Sequence, residues 1–120
     1  MENRTILIVG GAGYIGEMLC ELFNARPDVR KIIALDKEPQ SEFSKKLEKV
    51  VYIQANMADG KWQEEASKYE PDAVVHTAWQ IRAMYGNAKE QWRWNVGGSD
   101  AVFDFAFTQP SVTKLVYFST

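Results

Sequence analysis

The sequence predicts an α/β fold built on a doubly wound parallel sheet, with strand order 3-2-1-4-5 and helices on both faces. Apolar runs of strand length alternate along the chain with segments of helical spacing. Those runs are continuously apolar rather than alternating, as expected of strands buried on both faces. A glycine loop at residues 10–16 follows the first run, and with right-handed crossovers it places that strand mid-sheet, where the order reverses.

The first strand is expected at residues 5–9, Thr5-Ile6-Leu7-Ile8-Val9. The loop Gly10-Gly11-Ala12-Gly13-Tyr14-Ile15-Gly16 comes next. Ile15, Met18, Leu19, Leu22 and Phe23 then recur at the spacing of one helix face, which is expected to be buried. Pro27 and Asp28 end this helix, since proline neither donates nor fits inside one. The second strand, residues 31–35, delivers Asp36 at its end. Residues 37–48 are polar and read as a loop with a short helix, in which Phe43 and Leu47 are placed to pack. Val50-Val51-Tyr52-Ile53 has the β-branched and aromatic content of a third strand. A turn at residues 56–60 and a more exposed helix at 61–69 follow, and Pro71-Asp72 opens a fourth strand at 73–78. A long helical stretch is expected from about residue 88 to 107, closed by Pro110, with a fifth strand at 114–119.

The turns after all five strands open on the same edge of such a sheet, so Gly13, Asp36, Asn56, Ala78 and Thr120 can meet around one ligand. The glycine loop suits a phosphate: glycines allow a tight turn and close backbone approach, and the first helical turn offers unpaired N–H groups and partial positive charge. Asp36 stands 20 positions beyond Gly16, where a carboxylate would accept hydrogen bonds from an adenosine ribose. Glycine loop, preceding strand, following helix and carboxylate together predict a dinucleotide site in a Rossmann fold.

The bulk properties narrow the classes further. A chain of 120 residues is one domain by length, and 46% hydrophobic with 25% charged residues is a soluble globular composition. The net charge is −2 with no basic run, which argues against nucleic acid as a partner. Cys20 is the only cysteine, so no internal disulfide forms, and its place beside Leu19 suits a buried structural thiol. No apolar stretch approaches membrane-spanning length, and the first strand begins too close to Met1 for a signal peptide; the expected compartment is the cytoplasm. No His/Cys/Asp/Glu cluster has metal-ligand spacing, so no metal is expected.

The chain resembles the N-terminal part of the extended short-chain dehydrogenase/reductases, the NAD-dependent epimerase/dehydratase family that acts largely on nucleotide sugars. Gly10, Gly13 and Gly16 match its glycine loop, and Leu35-Asp36 its ribose-binding acid. Ala55-Asn56-Met57-Ala58-Asp59 resembles its G-D-(I/L)-x-D turn, with Asn56 in place of the usual aspartate. Pro71-Asp72-Ala73-Val74-Val75-His76-Thr77-Ala78 is similar to its P-D-x-V-x-H-x-A strand, and Asn95-Val96-Gly97-Gly98-Ser99 to its N-V-x-G-T helix signature. Leu115-Val116-Tyr117-Phe118-Ser119-Thr120 is similar to the strand bearing the catalytic Ser or Thr.

The resemblance implies an NAD cofactor with its pyrophosphate on Gly10, Gly13, Gly16 and the N–H groups of Tyr14 and Ile15. Asp36 would hold the ribose, and Asn56 and Met57 would contact adenine. Thr77 and Ala78 would lie under the cofactor, Asn95 would hydrogen-bond backbone beside the site, and Thr120 would bind the oxygen of a small-molecule substrate. Trp79 either lines the nicotinamide end of the crevice or caps the core. Lys37 could approach a 2′-phosphate, but the neighbouring Asp36 carboxylate repels one, which favours NAD over NADP. His76, the lone histidine, matches a family position of structural role.

The family's Tyr-x-x-x-Lys pair stands some two dozen residues past the Ser/Thr. Here the only such spacing is Tyr85 and Lys89, which precedes the fifth strand and so fails the geometry of a general base. The 120 residues are therefore expected to bind NAD without turnover, as a cofactor-binding domain lacking a substrate domain. The rival expectation is a non-catalytic dinucleotide sensor or interaction module. An unpaired fifth strand and the aromatic helix carrying Trp92, Phe103 and Phe107 predict a homo-oligomer.

Overall fold

The computed structural model describes residues 4–59, 61–78, 89 and 93–117. They form a single five-stranded parallel sheet in the order β3-β2-β1-β4-β5, as the sequence predicts. The strands are β1 (Arg4–Val9), β2 (Val29–Asp36), β3 (Val50–Gln54), β4 (Ala73–His76) and β5 (Lys114–Tyr117). The helices are α1 (Tyr14–Asn24), α2 (Glu42–Lys45), α3 (Trp62–Ser67) and α4 (Gly98–Thr108).

The register aligns whole rows across the sheet. Ile53, Leu35, Val9, His76 and Tyr117 form one row, and Tyr52, Ala34, Ile8, Val75 and Val116 the row beside it. Side chains of successive residues point to opposite faces, so these rows feed two separate cores. Leu7, Val9, Ile33, Leu35, Ile53 and Val74 pack with Trp62 and Ala66 of α3 and Val102, Phe105 and Ala106 of α4. Ile6, Ile8, Ile32, Ala34 and Val75 pack with Cys20 of α1, joined by Leu19, Phe23 and Leu47. Trp62 anchors the first core: its indole N–H donates to the Met57 carbonyl at 2.8 Å, and its ring lies 5.3 Å from that of Phe105.

Two local packing expectations are corrected. The buried face of α1 is Gly16, Leu19, Cys20 and Phe23, whereas Ile15, Met18 and Leu22 are 39%, 49% and 56% exposed. The face turns because Gly16, lacking a side chain, lets the helix start close against the loop, which brings the small Cys20 one turn later onto the sheet. Phe43 is exposed, and Ser44 is the buried residue of α2.

Residues 93–107 are helical as expected, but their winding is not α throughout. Arg93–Gly97 is a π-helical turn that passes into α4 at Gly98. That turn packs against the one-turn 3-10 segment Met57–Asp59 after β3. A Cβ at Gly98 would sit 2.5 Å from the Met57 side chain, so any larger residue would force Met57 to shift.

Helix and strand ends also fall short of the sequence-based bounds. α1 stops at Asn24, before Pro27, and β4 ends at His76 rather than residue 78. Trp79, Tyr85, Trp92, Ser119 and Thr120 lie outside the described residues.

Candidate functional site

Right-handed connections place α1 and α2 on one face and α3 and α4 on the other, so the order of the parallel strands reverses between β1 and β4. A crevice opens there at the carboxyl ends of the strands. The loop after β1 enters it through Gly10, which has φ +90°. A Cβ at Gly10 would meet Thr77 Oγ1 at 2.5 Å and the Ala78 nitrogen at 2.9 Å, so conformation and space both demand glycine. At Gly16 a Cβ would strike the Gly10 carbonyl oxygen.

The loop is tied to the sheet on both sides. The N–H groups of Gly10 and Gly11 donate to the Leu35 carbonyl at 2.7 and 3.1 Å. The Thr77 hydroxyl donates to the Val9 carbonyl at 2.8 Å. Gly13 is the N-cap of α1 and has no side chain to satisfy the first-turn N–H groups. The helix therefore presents bare donors and the positive end of its dipole to the crevice.

Asp36 faces this loop from the end of β2. Its Oδ2 accepts from the Ala12 N–H at 3.0 Å and its Oδ1 from the Glu38 N–H at 3.1 Å, which fixes the carboxylate plane while each oxygen keeps acceptor capacity. It is nearly buried, at 8% exposure. The partner N–H groups of Ala12 and Glu38 escaped the sequence reading because a backbone donor leaves no mark on residue type. Lys37 is half-buried beside it, and its carbonyl accepts from the Gln54 amide at 3.2 Å.

From β3, Asn56 Oδ1 accepts from the Ala58 N–H at 2.9 Å and so shapes the turn. The Met57 side chain is fully buried against Gly98, turned to the core. From β4, Thr77 and Ala78 lie directly under Gly10. Asn95, buried to 6% exposure, sits in the π turn beside the 57–59 segment.

The structure thus brings Gly10, Gly13, Tyr14, Ile15, Gly16, Asp36, Lys37, Asn56, Met57, Thr77 and Ala78 to one edge of the sheet, with Asn95 on the adjoining turn. Trp79 and Thr120 lie outside the described residues. A neighbouring cleft between α1 and Phe43 shares Ala12 and Gly13, but Glu17 and Glu21 line it and would repel a pyrophosphate. Among the described residues, no group of three or more His, Cys, Asp or Glu is placed to hold a metal, and no helix is long and apolar enough to cross a membrane.

Two buried groups at the edges of this framework have shifted proton affinities. Burial holds the His76 imidazole down at about 4, so the ring is neutral at pH 7. Burial, with a smaller contribution from Glu17, pushes the Cys20 thiol up to about 12, which suits an inert packing residue.

Sheet order and crevice define the chain as a Rossmann domain. Comparison with known proteins carries this further: the profile of the NAD dependent epimerase/dehydratase family matches residues 6–120, and the chain belongs to that family. Two solved structures from Bordetella bronchiseptica are similar. The enzyme WbmG in complex with NAD superposes with TM-score 0.85 at 26% identity, covering 98% of this chain and 38% of that one. The enzyme WbmH in complex with NAD+ gives TM-score 0.85 at 26% identity, covering 98% and 40%. An uncharacterized protein of Methanocaldococcus jannaschii is 27% identical over the whole of this chain. The chain spans about 40% of the length of that curated relative.

Proposed function

We propose that these 120 residues are the NAD-binding domain of an epimerase, dehydratase or related oxidoreductase that acts on a nucleotide sugar or similar alcohol. The observation that carries this reading is the uncapped start of α1 at Gly13, faced by the Asp36 carboxylate, which is bonded to the same loop. Bare helix N–H groups suit a pyrophosphate, and a fixed carboxylate suits the two hydroxyls of a ribose. Asn56 and the main chain of Met57 would border adenine, Thr77 and Ala78 the cofactor's underside, and Thr120 the substrate oxygen. Asp36 would repel a 2′-phosphate, so NAD is preferred to NADP. The presence of NAD in WbmG and WbmH, and of UDP beside NAD in a second WbmG structure, supports both the cofactor and the substrate class.

Hydride chemistry in this family needs an acid/base pair, and these residues contain no Tyr-x-x-x-Lys beyond β5. The expected behaviour of the 120-residue chain is NAD binding without turnover. Titration calorimetry tests the first half: no heat with NAD, from a chain whose circular dichroism shows an intact fold, overturns it. Measurable dehydrogenase activity of the same preparation overturns the second half. The second reading is a non-catalytic dinucleotide-binding sensor or interaction module. A source reading frame that continues past Thr120 into a Tyr-x-x-x-Lys favours the enzyme, and a stop codon there favours the sensor.

A further inference from the structure

We propose that His76 is a positioning residue for the cofactor crevice, clamping the turn under Gly10 to the start of α4 through both nitrogens of its ring. The inference rests on the NAD-binding reading above.

The tautomer follows from the partners. The Ala78 N–H points at His76 Nδ1 over a long 3.4 Å, and a donor there requires a bare lone pair on Nδ1. The proton therefore sits on Nε2, which lies 2.9 Å from Ser99 Oγ and donates to it. The ring is fully buried. It packs against the rings of Phe103 at 5.9 Å and Tyr117 at 5.3 Å. The depressed proton affinity keeps the ring neutral near pH 7, so one of its nitrogens stays an acceptor.

The two bonded segments are parts of the crevice framework. Ala78 sits against Gly10, where an added Cβ would meet the Ala78 nitrogen at 2.9 Å, and Gly10 opens the loop that leads to the N-terminus of α1. Ser99 stands in the first turn of α4, immediately after the π turn that holds Asn95. An aliphatic side chain of similar volume would fill the space but would leave the Ala78 donor and the Ser99 hydroxyl unmatched. Histidine joins the two because its nitrogens face different directions across one rigid ring.

The test compares wild type, Ser99→Ala and Ser99→Thr by calorimetry with NAD, with thermal melting as the measure of folding and nitrogen NMR of His76 in the wild-type chain. The expected result is a proton on Nε2 and, in folded Ser99→Ala, an NAD Kd weakened about tenfold, the scale of one buried hydrogen bond lost. Ser99→Thr, which keeps the hydroxyl, should bind within about twofold of wild type on the same scale. A Ser99→Ala chain that melts lower yet binds NAD like wild type overturns the inference alone, since that is the signature of a merely structural contact. So does a proton on Nδ1, which the wild-type spectrum reads whether or not the variants fold. A wild-type chain that binds no NAD overturns the functional reading and this inference with it.

Discussion

Asp36 shows how much a single residue inherits from its backbone neighbours. Both of its oxygens are held by main-chain N–H groups, from Ala12 across the crevice and from Glu38 two residues on. The carboxylate is thereby oriented before any ligand arrives, which lowers the ordering cost of binding. Asp36→Asn keeps the size but removes the charge and replaces one acceptor by a donor. NAD binding should weaken by about tenfold, the scale of one charge-assisted hydrogen bond. NADP should lose less, because the repulsion of its 2′-phosphate is relieved at the same time. Calorimetry with each dinucleotide checks this, and an unchanged NAD-to-NADP ratio contradicts it. The glycines and Asp36 were legible from sequence because residue type and spacing carry their role. The Ala12 and Glu38 donors were not, because every residue has a backbone N–H and only the fold aims one.

At the scale of the element, α1 separates periodicity from burial. Apolar residues at 15, 18, 19, 22 and 23 do lie along one side of the helix, as their spacing requires. The sheet, however, touches a stripe centred on Gly16 and Cys20, so half of the apolar side stays open. Met18→Gln and Leu22→Gln should therefore change unfolding free energy by no more than about 0.5 kcal/mol each, as at ordinary surface sites. Urea denaturation measures this, and losses of 2 kcal/mol or more would mean that these side chains are buried in solution. The π turn at Arg93–Gly97 is a second case. Asn95 was legible as a motif residue, but helical periodicity alone extends a single helix through it. The shift in winding goes with the close packing of Gly98 on Met57, a contact between segments some 40 residues apart.

Across the whole molecule, β5 lies at the margin of the described sheet with β4 as its neighbour. Val116 and Tyr117 are 42% and 40% exposed, and Phe107 near the end of α4 is 78% exposed. A strand edge flanked by apolar side chains is a template for another strand. The 120-residue chain is accordingly expected to self-associate through β5, giving a scattering mass above the monomer's 13.7 kDa at high concentration. A monomer at every concentration contradicts this. Lys114 on the same strand leaves one charge at that edge, so raising the salt should strengthen association by screening it.

The sequence by itself determined the sheet order and the edge on which the candidate site residues gather. Both follow from local quantities: strand-length apolar runs, helical spacing, the hand of the crossovers, and glycines where no other residue can turn. It also determined the family, through motifs whose order survives wherever each one packs. The tertiary structure alone decided which side of α1 is buried, where the last helix changes its winding, which backbone donors hold Asp36, and that His76 bonds Ser99 23 positions away. These depend on contacts between distant segments, whose distances and directions no periodicity encodes.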